Sequence, residues 1–269
     1  MRQVLSRHFF FGLFNIYISF KAKLTYRAAT ILKLCTNIFT SLVYVYLWLA
    51  LYGAENSING FTREEMIIYI ILLRILRMLY PFHISGAYGN MIKRGSIYSW
   101  LLKPVCVEIH LLTHSVALLL YNFCFCAIPL IAIMSAFADI RGIITYDLLL
   151  AFLWFASAFL FIFLLELCIG VVSYYTTNLW GVGQFKNAIV AFFAGELLPL
   201  SFYPNALLSF IQVLPFYSIY FIPISFILGK KIESVPEQFI ILWVSIILLL
   251  VVYLLLSKKM QKSIMIQGG

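Results

Sequence analysis

The chain has 269 residues, of which 64% are apolar and only 11% are charged, and its mean hydropathy is +1.00. A soluble domain is about half apolar and about one quarter charged, so this composition excludes a soluble globular protein and predicts an integral membrane protein. The net charge of +9 does not indicate nucleic-acid binding. The basic residues lie at the ends of apolar segments, and membrane proteins collect such residues on their cytoplasmic face.

Residues 1–28 carry five basic side chains around an aromatic run from Phe9 to Phe20. This run is too short to cross a bilayer, which requires about 20 apolar residues. We expect a helix that lies along the inner leaflet, with a disordered basic tail as the alternative. Basic residues rather than a small-residue cleavage site follow the run, so a cleavable signal peptide is not expected.

Six apolar segments are predicted to span the membrane as helices, in a single transmembrane domain that covers residues 1–269. Thr62 and Glu65 have the spacing of a capping box, which marks the start of the second span. Prolines divide residues 204–228 into pieces too short to cross, and we expect outer re-entrant helices there. The spans are predicted at residues 30–52, 64–86, 107–137, 148–174, 187–203 and 239–256.

The connection between the second and third spans, residues 88–105, is basic and contains glycine. It carries Lys93, Arg94 and Lys103, with the aromatic residues Tyr98 and Trp100 between them. Such charges do not cross a bilayer readily, and aromatic rings favour the water–lipid boundary. The connection is therefore predicted to lie at the membrane surface.

The distribution of basic residues predicts the orientation. With six spans, both termini lie on one side, which receives 12 basic residues, whereas the opposite side receives 4. This difference predicts cytoplasmic termini. The 12 residues are Arg2, Arg7, Lys21, Lys23, Arg27, Lys93, Arg94, Lys103, Lys186, Lys258, Lys259 and Lys262.

Four charged residues are predicted inside the membrane: Arg74 and Arg77 in the second span, Glu166 in the fourth and Glu196 in the fifth. Intramembrane charges are costly and normally face the interior of a helix bundle or an aqueous path. Arg77 and Glu166 are expected at similar depth. An internal salt bridge and a role in lining a substrate pathway both remain open for these residues.

Glu196 lies beside Gly195 and ahead of two prolines, where a helix is expected to break. A carboxylate at a broken helix suits a gate or an ion site. The alternative is a side chain that reaches the outer interface.

The sequence contains no pattern typical of a catalytic or metal site. His110 and His114 are one turn apart, but no HExxH motif includes them, and His83 is expected to be packed or interfacial. The five cysteines lie in or beside apolar segments and form no CxxC pair, so neither disulfides nor zinc are expected. No phosphate-binding loop of the GxxxxGK[ST] type is present, so the chain is not expected to be its own ATPase or any other enzyme.

Several stretches carry a family resemblance. The most specific runs from Ile92 to Val105, with Ile-x-x-Gly followed by Leu-Leu-Lys-Pro, and the chain resembles over almost its whole length the bacterial permease subunits of ABC-2 type transporters that share this stretch. The other matching stretches are residues 24–28, 51–53, 60–62, 73–77, 180–181, 198–204 and 214–216.

The resemblance implies an all-α membrane fold with a cytoplasmic coupling helix between spans 2 and 3, here at about residues 89–102. It also implies a second permease, identical or related, and two separate cytoplasmic ABC ATPase subunits that bind ATP and Mg²⁺, with no cofactor on this chain. The residues that would contact the ATPase are Asn90, Met91, Lys93, Arg94, Gly95, Tyr98, Lys103 and Pro104.

We therefore expect an ATP-driven exporter permease in a bacterial cytoplasmic membrane, with an amphipathic substrate such as a peptide or antimicrobial, a drug, a lipid or a glycan. The alternative is an ion-coupled secondary transporter or channel that uses Arg74, Arg77, Glu166 and Glu196. The absence of an internal sequence repeat disfavours this alternative.

Overall fold

The computed structural model describes residues 2–135, 148–176, 178–232 and 234–267. The predicted outer loop at 139–147 and the last two residues of the predicted third span lie outside these ranges. The main helices are α1 (Arg2–Thr25), α2 (Arg27–Tyr52), α3 (Arg63–Leu79), α4 (Ile84–Lys93), α5 (Ile97–Leu101), α6 (Val107–Asn122), α7 (Ile128–Met134), α8 (Leu148–Val172), α9 (Leu179–Phe193), α10 (Asn205–Gln212), α11 (Phe221–Ile227) and α12 (Val235–Gln267).

The predicted all-α membrane architecture is confirmed. Within the described ranges, five helical segments are long and apolar enough to cross a membrane, and a bent pair formed by residues 205–212 and 215–227 would make a sixth. The helices of this pair meet at 85°, in the region that the sequence predicts as re-entrant. The five segments are Arg27–Tyr52, Arg63–Lys93, Val107–Met134, Leu148–Val172 and Val235–Lys262.

The first helix lies against the third membrane segment. The side chain of Asn15 in α1 donates hydrogen bonds to the Thr113 hydroxyl at 2.6 Å and to the His110 carbonyl oxygen at 3.1 Å. These bonds join α1 to α6. Helix α1 covers most of residues 1–28, the stretch that was predicted as interfacial.

A short hairpin precedes α3. Its strands β1 (Ser57–Ile58) and β2 (Phe61–Thr62) are joined by Asn59 and Gly60, both with positive φ, as a type I′ turn requires. Thr62 then caps α3, as predicted. Its hydroxyl accepts from the Glu65 amide at 3.2 Å, and the Glu65 carboxylate accepts from the Thr62 amide at 2.8 Å.

The second membrane segment is interrupted, whereas an unbroken helix over residues 64–86 is expected from its apolar pattern. Helix α3 ends at Leu79 and α4 begins at Ile84. Pro81 explains the difference, because proline has no N–H to donate and disfavours a helical conformation at the residue before it.

A π-helical turn, Phe123–Ala127, interrupts the third membrane segment between α6 and α7. Pro129 follows within the first turn of α7. A π turn holds one extra residue, and it shifts the helix register just before a proline that lacks a hydrogen-bond donor.

The fifth predicted span is displaced. Helix α9 begins eight residues before the predicted start at 187 and ends ten residues before the predicted end at 203. The side chain of Asn178 caps its first turn by accepting from the Gly181 amide at 3.0 Å. Gly195 ends it with φ of +78°, and the Glu196 amide bonds the Ala191 carbonyl oxygen at 3.0 Å, as in a Schellman motif.

The interior is built mainly by α3 and α8, whose large apolar side chains are buried. In contrast, α2 and α12 expose most of theirs, including Phe39 and Leu255. These exposed faces suit lipid or another membrane-embedded subunit.

Candidate functional site

Glu166 is the most deeply buried acidic residue that the structure describes. Its side chain is fully inaccessible and lies near the C-terminal end of α8. Its Oε2 accepts a hydrogen bond from the Ser85 backbone N–H at 2.9 Å, and its Oε1 accepts from the Lys186 ammonium. One carboxylate therefore connects α8 with the first turn of α4 and the middle of α9.

Lys186 lies in a different place from that predicted. The sequence places it in an inner loop among the cytoplasmic charges, whereas the structure buries it in α9 with its side chain only 7% exposed. The expected loop is instead the start of a helix, because Asn178 caps α9 well before Lys186. Without Lys186, 11 basic residues are still predicted on the side that is expected to be cytoplasmic, so the predicted charge asymmetry remains.

Arg77 pairs with Glu196 rather than with Glu166. The guanidinium donates to Oε2 of Glu196 at 3.0 Å, and it lies over the Phe82 ring at 4.3 Å from the ring centre. The Tyr220 hydroxyl lies 3.5 Å from the same Arg77 nitrogen. Both members of the ion pair are partly accessible, at 27% and 15%, so a cavity reaches the pair.

The break at Gly195 gives Glu196 its position. The Gly195 carbonyl oxygen accepts a hydrogen bond from the buried Tyr69 hydroxyl at 2.9 Å, which ties the end of α9 to α3. The Glu196 carboxylate then turns towards Arg77 and not towards the outer interface. The prediction that the helix breaks here is confirmed.

Arg74 has a different environment, although it lies only three residues before Arg77. Its guanidinium lies over the Tyr44 ring in α2, at 4.5 Å from the ring centre. Its buried Nε has no hydrogen-bond partner, and no described carboxylate forms a salt bridge with it. Arg77 therefore interacts with a carboxylate, whereas Arg74 interacts with an aromatic ring.

The basic connection starts within α4, and its charged end is accessible. Asn90, Lys93 and Arg94 are exposed, and Gly95 forms the turn to α5 with φ of +70°. Buried Ile92 and Ile97 hold the two sides of this turn to the rest of the protein. The sequence-predicted coupling helix is therefore the end of α4, a turn and the short α5.

The remaining predicted coupling residues lie on the same connection. Tyr98 is 47% exposed, Met91 is half-buried, and Pro104 is exposed ahead of α6. Lys103 lies over the Trp100 ring at 3.8 Å from its centre. The structure brings these residues into one segment of the chain, and the intramembrane charges lie apart from them.

Close packing connects α4 with α8. A Cβ atom placed on Gly170 would lie 2.7 Å from the Tyr88 ring, and one on Gly89 would lie 3.0 Å from the Cβ of Ser173. Real Cβ atoms essentially never come closer than 3.0 Å to another atom, and contacts just above this limit are rare, so a side chain at either position requires its neighbours to move. The Tyr88 hydroxyl also bonds Tyr253 of α12 at 3.2 Å.

A cavity of about 600 Å³ lies between α1, α2, α3 and α6, and three of its lining residues are the basic side chains Lys23, Lys33 and Arg77. The Lys33 ammonium donates to Oδ1 of Asn122 in α6 at 2.9 Å. Sequence reasoning did not find this cavity, because its walls come from four separate helices.

The cavity also contains part of a row of rings. His83 and His114 line it, with ring centres 6.0 Å apart, and His114 is followed by His110 and then by Trp100, which is stacked at 4.3 Å. In the sequence, the one-turn spacing of His110 and His114 was the feature from which part of this row could have been predicted. The Ser19 hydroxyl lies 3.0 Å from Nδ1 of His114.

Comparison with known proteins adds one match. A family model described as ABC-2 family transporter protein matches residues 15–265, which is nearly the whole chain. A search of the curated proteins finds no match.

Proposed function

Since this chain belongs to the ABC-2 family of transporter proteins, we propose that it is the permease subunit of an ATP-driven exporter of an amphipathic substrate. The chain is a multi-pass membrane component and not itself the ATPase, and its family works with an ABC ATPase. We further propose a bacterial cytoplasmic membrane, cytoplasmic termini, a second permease and two ATPase copies that bind ATP and Mg²⁺.

One observation carries the proposal: the exposed basic end of α4 belongs to the same helix that packs against α8 and bonds Glu166. A displacement of Lys93 and Arg94 moves a rigid helix of ten residues, about 15 Å long. The glycine contacts at Gly89 and Gly170 leave no space between α4 and α8. A force applied at the membrane surface is therefore passed to a membrane-spanning helix.

The charges of the connection suit a protein partner. Lys93 and Arg94 are exposed cations beside the exposed Tyr98 ring, and aromatic and arginine side chains are the types that dominate interface energies. Acidic side chains in a groove of the ATPase would complement them.

The ion-coupled alternative has little support in the site geometry. Glu166 and Glu196, the acidic residues that it requires, are both paired with cations. A carboxylate held by a neighbouring cation is a poor binding site for a second one.

The test uses the chain co-expressed with its ABC ATPase. In Lys93→Gln/Arg94→Gln, we expect ATPase co-purification, ATP hydrolysis by the complex and export to fall by at least about tenfold, as for the loss of an interface hot spot. The matched control is Arg63→Gln/Lys231→Gln, which removes two exposed basic residues predicted to lie on the outer side.

Inside-out vesicles test the direction, because an exporter accumulates its substrate within them when ATP is added outside. A chain that purifies without an ATPase and moves solute on an ion gradient without ATP would refute the proposal.

A further inference from the structure

The cavity between α1, α2, α3 and α6 has an excess of positive charge. Among the described residues that line it, Lys23, Lys33 and Arg77 are cationic and none is a carboxylate. Arg77 is neutralised by Glu196 behind the wall. Lys33 donates to the neutral amide of Asn122, and Lys23 forms no salt bridge with a described acid.

Two ammonium groups therefore face one space without a paired acid. Charge inside a membrane protein is costly unless it is paired or hydrated, and lysine is a common ligand for phosphate. The Tyr26 hydroxyl and the Asn37 side-chain amide also line the space and can donate hydrogen bonds to an oxyanion. The volume of about 600 Å³ is within the usual range for small-molecule sites.

An apolar groove adjoins this cavity. It has a volume of about 440 Å³ and is lined by the apolar residues Leu24, Ile31, Leu34 and Phe125, together with Arg27, Thr30 and Tyr121. Three of these apolar residues are substantially exposed at the surface of the chain, at 38% for Leu24, 61% for Ile31 and 41% for Phe125.

The two spaces share a wall. Thr30 and Tyr121 line both, and their hydroxyls are 2.5 Å apart. A cationic compartment and an apolar groove thus meet at one hydrogen-bonded pair. A molecule with an anionic head and a hydrocarbon tail fits this arrangement, whereas free phosphate would leave the groove unused.

The depth of the cavity agrees with a lipid headgroup. Lys33 lies six residues after Arg27, at which α2 begins, or about 9 Å along the helix axis. With Arg27 at the headgroup level, Lys33 lies within the outer third of a hydrocarbon layer about 30 Å thick, and a lysine side chain at that depth can extend to the headgroups.

We propose that this cavity and groove bind an anionic phospholipid from the leaflet that faces the N-terminus of α2. Lys23 and Lys33 bind the phosphate, and the groove holds an acyl chain. The assignment to the cytoplasmic leaflet rests on the proposed function, but lipid binding itself does not.

The experiment measures lipids retained by the full-length chain without an ATPase. The chain is reconstituted with equal amounts of phosphatidylglycerol and phosphatidylcholine, extracted in mild detergent and analysed by native mass spectrometry. We expect preferential retention of phosphatidylglycerol, and a loss of about tenfold in Lys23→Gln/Lys33→Gln. Lys23→Gln alone, at an exposed position, is expected to lower retention in a protein whose packing is intact.

Two further variants separate the contributions. Arg63→Gln/Lys231→Gln removes the same charge from other exposed positions and is expected to retain the lipid. Ile31→Trp fills the groove and is expected to reduce retention while both lysines remain. Equal retention of the two lipids, or equal phosphatidylglycerol retention by wild type and the lysine variants, would overturn the proposal.

Free phosphate is the competing source of the same chemistry. Displacement of phosphatidylglycerol by millimolar inorganic phosphate, with no effect of Ile31→Trp, would also overturn the lipid assignment. No ATP is present in this experiment. A negative result therefore leaves the exporter proposal standing, and loss of ATPase coupling leaves the lipid site standing.

Discussion

The Glu166 carboxylate accepts a hydrogen bond from the Ser85 backbone N–H at 2.9 Å, about two turns before the basic end of α4. The same carboxylate binds the Lys186 ammonium in α9. Three helices therefore depend on one charged group in the interior, and loss of either partner charge leaves the other without compensation.

Replacement of Glu166 tests this dependence. We expect Glu166→Gln to lower the free energy of unfolding by about 3–5 kcal/mol, because a buried lysine then has no counter-charge. The Gln oxygen can still accept from the Ser85 amide, so the variant isolates the charge. Thermal unfolding of the detergent-solubilised chain measures the effect.

The double variant Glu166→Gln/Lys186→Gln provides the control. It removes both charges, so we expect it to recover at least half of the lost stability. If the double variant loses as much stability as Glu166→Gln and Lys186→Gln lose together, the pair makes no net interaction.

Gly170 tests the contact between α4 and α8. In Gly170→Ala, the new methyl group would lie 2.7 Å from the Tyr88 ring. We expect α4 to move away from α8, with a loss of about 1–3 kcal/mol as in overpacked cores and weaker ATPase coupling. Thermal unfolding and the ATP hydrolysis rate of the complex measure the two effects.

Gly86→Ala is the matched control within α4. No atom outside its own helix lies within 4 Å of a Cβ at this position, and alanine favours helix over glycine by about 1 kcal/mol. A variant that is at least as stable as wild type is expected. Destabilisation by Gly86→Ala equal to that by Gly170→Ala would remove the packing explanation.

The Arg77–Glu196 ion pair is expected to show coupling. Arg77→Gln and Glu196→Gln should each destabilise the chain, with a double-mutant interaction energy of about 0.5–3 kcal/mol. Arg74→Gln should leave that interaction unchanged, because Arg74 contacts Tyr44 and no described acid. Export assays on the same variants test whether the pair also lines the substrate pathway. Wild-type export by Arg77→Gln at normal expression would exclude a role in the pathway.

Thr62 tests the outer end of α3. Thr62→Ala removes one of the two reciprocal hydrogen bonds of the capping box, and we expect a loss of about 1 kcal/mol. Thr62→Ser keeps the hydroxyl and should unfold near the wild-type temperature. A loss in the serine variant that matches the alanine variant would mean that the methyl group, not the cap, provides the stability.

Features set by neighbouring residues were predictable from the sequence. The Thr62 capping box and the helix break at Gly195 depend on residues within a few positions of each other, and the structure contains both. The composition and the apolar runs were enough for the membrane class and the positions of most spans. Pro81 is itself a local signal for the break between α3 and α4, but the apolar pattern on both sides of it favoured one unbroken helix.

Partners distant in the sequence were not predictable in the same way. Glu196 lies 119 residues from Arg77, and nothing local indicates that it, rather than Glu166, faces the arginine. Lys186 had the appearance of a loop residue because polar and glycine residues, among them Asn178, Gly181 and Gln184, precede it within ten positions of the sequence. Only the packing of α9 against α4 and α8 assigns it to the interior.

The Glu166–Lys186 pair has a further consequence in a membrane that carries a voltage. Moving one elementary charge across 100 mV changes the free energy by about 2.3 kcal/mol. Because the two opposite charges lie in contact, a joint movement of α8 and α9 carries no net charge through the field at this point. This charge pair therefore gives such a movement no dependence on the membrane potential.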